Sequence, residues 1–212
     1  SKFKNNITVF GNTKFKKIFN LKYKNINIKK ELFNSQTKNY VNDFIKLEKL
    51  NNSSIIEVHN RPSYINIINS KVKNKILTLY FHNDPLSMDG SKTIEQRKKL
   101  LKSCYKIIFN SSWSKKRFLE GLENKFVNSN KLLIFYQSAQ KGSLSLLKQK
   151  KKWITFVGKL NKAKGYDVFA KSIIKILNKY KNWKAIIIGD EKREKIILKH
   201  KNASILGFKK HN

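Results

Sequence analysis

Short apolar runs rich in β-branched residues alternate along this chain with longer stretches of helical period. That is the pattern of parallel strands joined by crossover helices. Strands are expected at residues 7–10, 54–58, 75–81, 106–109, 131–136, 153–157, 184–188 and 204–206. Several are continuous apolar runs, Ile186-Ile187-Ile188 the clearest, as expected of strands covered on both faces. Between them, Val41, Phe44, Ile45, Leu47 and Leu50 make one apolar helix face, and Ile94, Leu100, Leu101 and Cys104 make another. Trp113, Phe118 and Leu122 continue the series. The strongest amphipathic helix is expected over residues 166–180, with Val168, Phe169, Ile173, Ile176 and Leu177 opposite Lys171, Lys175 and Lys179.

The alternation breaks at residues 142–152, where Gly, Ser and a basic run precede Trp153. We place a domain junction there, giving an N-terminal Rossmann-like domain over 1–145 and the start of a second over 146–212. The predicted class is thus α/β, with two doubly wound parallel-sheet domains.

Composition changes this picture little until charge is counted. The formal net charge is +34, which raises nucleic acid as a partner. Yet the arginines are Arg61, Arg97, Arg117 and Arg193 only, and the remaining basic residues are lysines spread along the chain. Base and phosphate recognition leans on the planar guanidinium fork, so no nucleic acid is expected. A Lys-rich face is equally a solvated surface of a Lys-, Asn- and Ile-rich protein, or one drawn to anionic headgroups, each Lys contributing about 1 kcal/mol near a membrane. Cys104 is the single cysteine, which leaves no intrachain disulfide and fits a reducing compartment. No apolar stretch approaches the ~18 residues of a membrane span. The start, Ser1-Lys2-Phe3-Lys4, lacks an apolar signal core. A cytoplasmic location is expected, with room for peripheral contact at the inner face of the membrane. Because position 1 is not Met, the chain is expected to begin inside a longer product.

The best chemical signal is Gly158-Lys159-Leu160-Asn161-Lys162-Ala163-Lys164-Gly165, a short basic loop between a strand and a helix start. Ligands of open α/β sheets bind beyond the carboxyl ends of strands, and a helix N-terminus presents free N–H groups to a phosphate. Lys159 and Lys164 add two charges there, so a diphosphate is the natural guest; an ordinary solvated turn is the plain alternative. In the first half, Glu57-Val58-His59-Asn60-Arg61-Pro62 and Phe81-His82-Asn83-Asp84-Pro85 each set a His-containing polar cluster just after a strand.

These segments together resemble glycosyltransferase family 4, retaining enzymes of the GT-B fold. Gly158-Lys159-Leu160 and Lys164-Gly165 match the opening of that family's donor domain, with Lys159 where the family usually carries Arg. Ile188-Gly189-Asp190 resembles its next strand and glycine turn, Ala203-Ser204-Ile205-Leu206-Gly207 the strand after, and residues 106–114 the strand and Ser-containing turn of the acceptor domain. The resemblance spans residues 54–207. It implies transfer of a sugar from a nucleotide-sugar donor, held in a cleft between the domains, to a glycan or lipid-linked acceptor of lipopolysaccharide or capsule type. It further implies Gly158, Lys159 and Lys164 on the donor diphosphate, Gly189 and Asp190 in the donor-domain turn, and His82 as the catalytic residue on the acceptor side. His59, Asn60, Arg61, Asn83, Asp84 and Ser112 would line that side. No cofactor and no metal are expected, since lysines can take the leaving-group charge and no Asp-x-Asp pair is present. The family's opening glycine-rich turn has no convincing copy before Ile7, and its pair of glutamates would fall beyond Asn212, so truncation at both ends is expected. Two other classes stay open: a non-catalytic Lys-rich α/β protein binding nucleic acid or an anionic surface, and another two-domain enzyme such as a sugar-nucleotide epimerase.

Overall fold

In the computed structural model, residues 7–12, 21–26, 35–138, 150–194 and 196–209 are described. The chain divides into two compact units, residues 1–140 and 141–212. The expected junction falls on residues 142–149, which lie outside the described residues, and on Lys150, Lys151 and Lys152, which lead into the first strand of the second unit. Both units are α/β with all-parallel pairing, the Rossmann-like class that the strand and helix alternation indicated.

The first unit contains β1 (Thr8–Gly11), β2 (Lys22–Asn25), α1 (Gln36–Asn51), β3 (Ile55–His59), α2 (Pro62–Lys71), β4 (Ile76–Phe81), α3 (Ile94–Ser103), β5 (Lys106–Phe109), α4 (Ser112–Leu119) and β6 (Leu132–Ile134). β1 pairs with β2, and β3, β4, β5 and β6 lie side by side in chain order. Right-handed crossovers between successive neighbours place α2, α3 and α4 on one face of that sheet. The inward residues show it: Ile56 and Val58 of β3, Leu77, Leu79 and Phe81 of β4, and Ile107 and Phe109 of β5 share one buried cluster with Ile65, Ile68, Leu100 and Phe118 of the helices. The opposite face carries Glu57 and His59 of β3 beside Thr78 and Tyr80 of β4, paired in register. Strand alternation thus separates core from chemistry.

Caps fix where the helices begin. Ser35 accepts from the Lys38 N–H at 3.3 Å to start α1, a contact worth about 1 kcal/mol. Glu48 is buried near the end of α1 and accepts from the Ser53 N–H (2.7 Å) and hydroxyl (3.0 Å), which turns the chain into β3. Thr93 and Gln96 form a reciprocal capping box on α3. Arg97, 2 % exposed, donates to the carbonyls of Lys92 (3.1 Å) and Glu120, tying the end of α4 to the start of α3.

Sequence expectations are corrected at helix faces of this unit. Leu50 is exposed because it lies in the last turn of α1, beyond the buried stripe of Val41, Phe44 and Ile45. Trp113 faces outward under the Arg117 guanidinium, 5.9 Å from its ring centre, while Phe118 takes the core position. Two elements escaped the pattern altogether: β2, with the polar sequence Lys22-Tyr23-Lys24-Asn25, and α2, whose apolar face is only Ile65 and Ile68 behind a Pro at its first position.

The second unit contains β7 (Trp153–Val157), α5 (Tyr166–Lys179), β8 (Lys184–Ile188) and β9 (Ala203–Ile205), in sheet order β7-β8-β9. Its core is Tyr166, Ala170, Ile173 and Leu177 of α5 against Ala185 and Ile187 of β8. Val168, expected on the α5 stripe, points away and is exposed. The four buried residues are spaced four, three and four apart and so stay on one helix face. The strands are not equally covered on both sides: Ile186 and Ile188 are half-buried, and Trp153, Thr155 and Val157 of β7 are exposed among the described residues.

Candidate functional site

The carboxyl ends of β3 and β4 bring the two His clusters together. His59 ends β3, and the chain then makes a left-handed step at Asn60 (φ 55°), one of the few residue types that tolerate it. The Asn60 side-chain oxygen accepts the His82 backbone N–H at 3.2 Å, and Asn110, beyond β5, donates to the His82 carbonyl at 2.9 Å. His82 is thereby held from both neighbouring strand ends.

The imidazoles meet edge to edge. His59 Nδ1 and His82 Nε2 are 2.9 Å apart, with ring planes 12° from parallel and ring centres 5.2 Å apart. That separation is the N···N contact plus the two ring radii, the geometry of an in-plane hydrogen bond and not of a face stack. The other nitrogen of His59, Nε2, lies 2.7 Å from Glu57 Oε1. The other nitrogen of His82, Nδ1, lies 2.6 Å from the Gln137 side-chain nitrogen. Tyr80 stacks beside His82 at 4.4 Å, and its hydroxyl donates to the Phe135 carbonyl, which holds the segment after β6 near the row. Glu57 Oε2 accepts from the Thr78 hydroxyl at 3.4 Å.

Charge follows this geometry. The His59 hydrogen bond holds the Glu57 carboxyl below its ordinary range, against the opposing effect of burial. Burial lowers the His82 pKa, and the His59 charge lowers it further, with Glu57 acting in the opposite sense. Burial and the His59 charge thus both favour the neutral form of the His82 ring. Glu57, His59 and His82 aim their donor atoms at one another in a line and not at a common point. Among the described residues no group of three His, Cys, Asp or Glu is arranged to hold a metal ion.

The remaining expected acceptor-side residues divide. Arg61 precedes α2 and donates to the Asn60 carbonyl at 3.0 Å. It lines, with Glu57, His59 and Tyr40, a groove of ≈ 950 Å³ between the β1–β2 pair and the outer edge of β3. Asn83 is exposed. Asp84 is engaged elsewhere: it caps the turn at Pro85–Ser87 through the Leu86 N–H (3.0 Å) and pairs with Arg117 of α4 at 3.2 Å. Ser112 is exposed, and the hydroxyl that caps α4 is that of Ser111, accepting from the Ser114 N–H. Glu57, Tyr80 and Gln137 were not singled out by sequence reasoning. Glu57 and Tyr80 could have been found from period-two alternation next to each His, whereas Gln137 carries no local signal.

In the second unit, β7 and β8 end in Gly158 and Gly189, packed against each other. The Gly158 N–H donates to the Ile188 carbonyl at 3.0 Å, and a Cβ on Gly189 would meet the Gly158 oxygen at 1.8 Å. The loop then folds around Asn161, whose side chain accepts the Lys164 N–H (3.2 Å) and whose carbonyl accepts the Tyr166 N–H (3.2 Å). Gly165, left-handed at φ 71°, leads into α5 with no side-chain cap. Lys159 and Lys164 are exposed, and among the described residues neither is in an ion pair. Glu194 carboxylate oxygens sit 3.4 Å from the Lys162 N–H, so a carboxylate already occupies one backbone donor of this loop. Asp190 contributes its carbonyl to the Leu160 N–H at 3.4 Å, and its side chain is exposed.

No family model matches this chain, and no curated protein matches it. Among solved structures it is similar to MnaA of S. aureus, in a structure with UDP, at a TM-score of 0.52 and 13% identity, over 90% of this chain and 56% of that one. It is also similar to a chain in the structure of accessory secretory proteins 1, 2 and 3 of Streptococcus pneumoniae, at 0.47 and 12% identity, over 74% of this chain and 31% of that one, too loose a superposition to argue from. The first likeness is one of fold, and this chain spans little more than half the length of the protein it resembles. No described helix is long and apolar enough to cross a membrane.

Proposed function

We propose that the protein is a glycosyltransferase of the family 4, retaining type, moving a sugar from a nucleotide-sugar to a glycan or lipid-linked acceptor. In this reading the first unit takes the acceptor, at His82 and His59, and the second takes the donor diphosphate, at Gly158, Lys159 and Lys164. The observation that carries it is the row Glu57–His59–His82–Gln137, a set of hydrogen-bonded polar side chains at the carboxyl ends of parallel strands, where such sheets bind ligands. Support comes also from the two exposed lysines flanking the loop between β7 and α5, and from a fold likeness to a protein solved with UDP. Lys159 and Lys164 offset charge as it grows on the departing diphosphate.

Calorimetric titration of the full chain with UDP, GDP and ADP at low and physiological salt tests this. Saturable one-to-one binding of one nucleotide that survives salt is expected. Binding shared by any polyanion, including nucleic acid, and lost steeply with salt points instead to a Lys-rich anion-binding surface.

A further inference from the structure

We propose that Glu57, His59 and His82 form a proton relay that takes the proton of a hydroxyl group placed where the Gln137 side-chain nitrogen now sits. The site rests on the reading of this face as the acceptor side and deepens it by naming the group that is bound, a sugar or polyol hydroxyl that must lose its proton.

Glu57 is an ionised carboxylate and only accepts, so His59 Nε2, 2.7 Å away, must carry the proton between them. In the neutral ring His59 Nδ1 is then an acceptor, and the 2.9 Å contact to His82 Nε2 needs its proton on His82. That leaves His82 Nδ1 as an acceptor, facing a side-chain nitrogen of Gln137 that donates at 2.6 Å. With both rings neutral this assignment satisfies all three contacts, and every donor then points from Gln137 toward Glu57.

A hydroxyl in place of the amide meets the same lone pair. When its O–H bond breaks, an N–H bond forms at His82 Nδ1. The His82 Nε2–H proton passes to His59 Nδ1, and His59 becomes an imidazolium held against the Glu57 carboxylate. Glu57 is not protonated; it stabilises the cation, as the carboxylate of a catalytic triad does. The oxygen keeps the electron pair of its O–H bond and uses it to form the new bond to the anomeric carbon on the face from which the nucleotide diphosphate leaves with the pair of the breaking C–O bond, so the anomeric configuration is kept, as a retaining transfer requires. The positive charge ends one ring away from the reacting oxygen. The titratable groups facing the pair are Glu57 from β3 and Tyr80 from β4, and Tyr80 is committed to the Phe135 carbonyl. The Glu57 end opens into the groove beside β3.

The test needs no nucleotide. In the full chain labelled with 15N-histidine, a through-hydrogen-bond N–N coupling between His82 Nε2 and His59 Nδ1 is expected, and protonation of His82 should move the ring-nitrogen signals of both histidines together. Glu57→Gln, checked for folding by its amide spectrum, should move the His82 transition to lower pH, because Glu57 is the group that raises it. Gln137→Ala should leave the coupling in place; its loss would mean that Gln137 holds the rings together and is no placeholder. Absence of the coupling in the unmodified chain, or two independent transitions, overturns the relay without recourse to any variant. If the rings are coupled but no nucleotide binds, the sugar-transfer reading fails and the relay stands; binding with uncoupled rings gives the reverse.

Discussion

The carbonyl oxygen of Gly158 occupies the space that a side chain on Gly189 would need, 1.8 Å from the ideal Cβ position. The ends of β7 and β8 therefore approach backbone to backbone, and Gly189 sits at φ 140°, where an L side chain is strained. Gly189→Ala should destabilise the second unit by more than the ~1–3 kcal/mol of backbone strain alone. Chemical denaturation monitored by Trp183 fluorescence checks this, and a change under 1 kcal/mol would show that the turn relaxes.

With the donor diphosphate placed at Lys159 and Lys164, as proposed, both should matter more to rate than to binding, because charge on a departing diphosphate grows in the transition state. Either alanine variant should lower turnover of a UDP-sugar by on the order of 10²-fold. Lys159→Arg should be tolerated, because the charge is kept and a fork suited to phosphate is added. Lys171→Ala and Lys175→Ala, on the exposed face of α5, are the controls; equal losses there would reduce the effect to bulk charge.

The Glu57 carboxyl is held below its ordinary value first by the His59 hydrogen bond. A depressed carboxyl pKa contributes stability that is present above the unfolded value of 4.5 and is lost as pH falls through the lower folded value. Thermal melts of the parent should therefore lose stability on acidification below about pH 4.5. In Glu57→Gln that part of the slope should be missing, and parallel curves for the two proteins would remove the linkage.

Arg97 is buried with its two terminal nitrogens on backbone carbonyls, while its Nε has no partner among the described residues. Arg97→Met keeps most of the volume but leaves the Lys92 and Glu120 carbonyls without that donor, at about 1–3 kcal/mol for each group left unsatisfied. A loss of at least 2 kcal/mol is expected by urea denaturation, beyond the scatter of ordinary surface changes.

Burial pushes the Cys104 thiol up to about 12, so almost no thiolate forms near neutrality. The native chain should resist iodoacetamide at pH 8 and react once unfolded in urea, read by intact mass.

Much of this architecture was legible because short apolar, β-branched runs alternate along the chain with stretches of helical period. β5, β7 and β8 fall at their expected residues. β2 and α2 were not legible: Lys22-Tyr23-Lys24-Asn25 has no apolar alternation, and α2 buries two isoleucines among polar neighbours. At the candidate site, the two histidines could be singled out because each follows a strand. Their contact depends on the β3–β4 register, which aligns His59 with Tyr80 and so sets His82 two residues beyond Tyr80, on the same face. Gln137 arrives from after β6, two strands over in the sheet, by a path that no local pattern encodes.

The sheet order of the first unit carries a consequence for how the chain is made. From β3 to β6 each strand pairs with the one synthesised just before it, and β7 to β9 repeat the arrangement. As the polypeptide leaves the ribosome, each strand after β3 in the one sheet and after β7 in the other meets an edge that already exists, and among the described residues none of them waits for a partner encoded far downstream. Such nearest-neighbour growth keeps loop closures short and favours rapid folding. The leading edge of each sheet, up to β6 and β9, is thus occupied within the time needed to translate one strand–helix–strand unit.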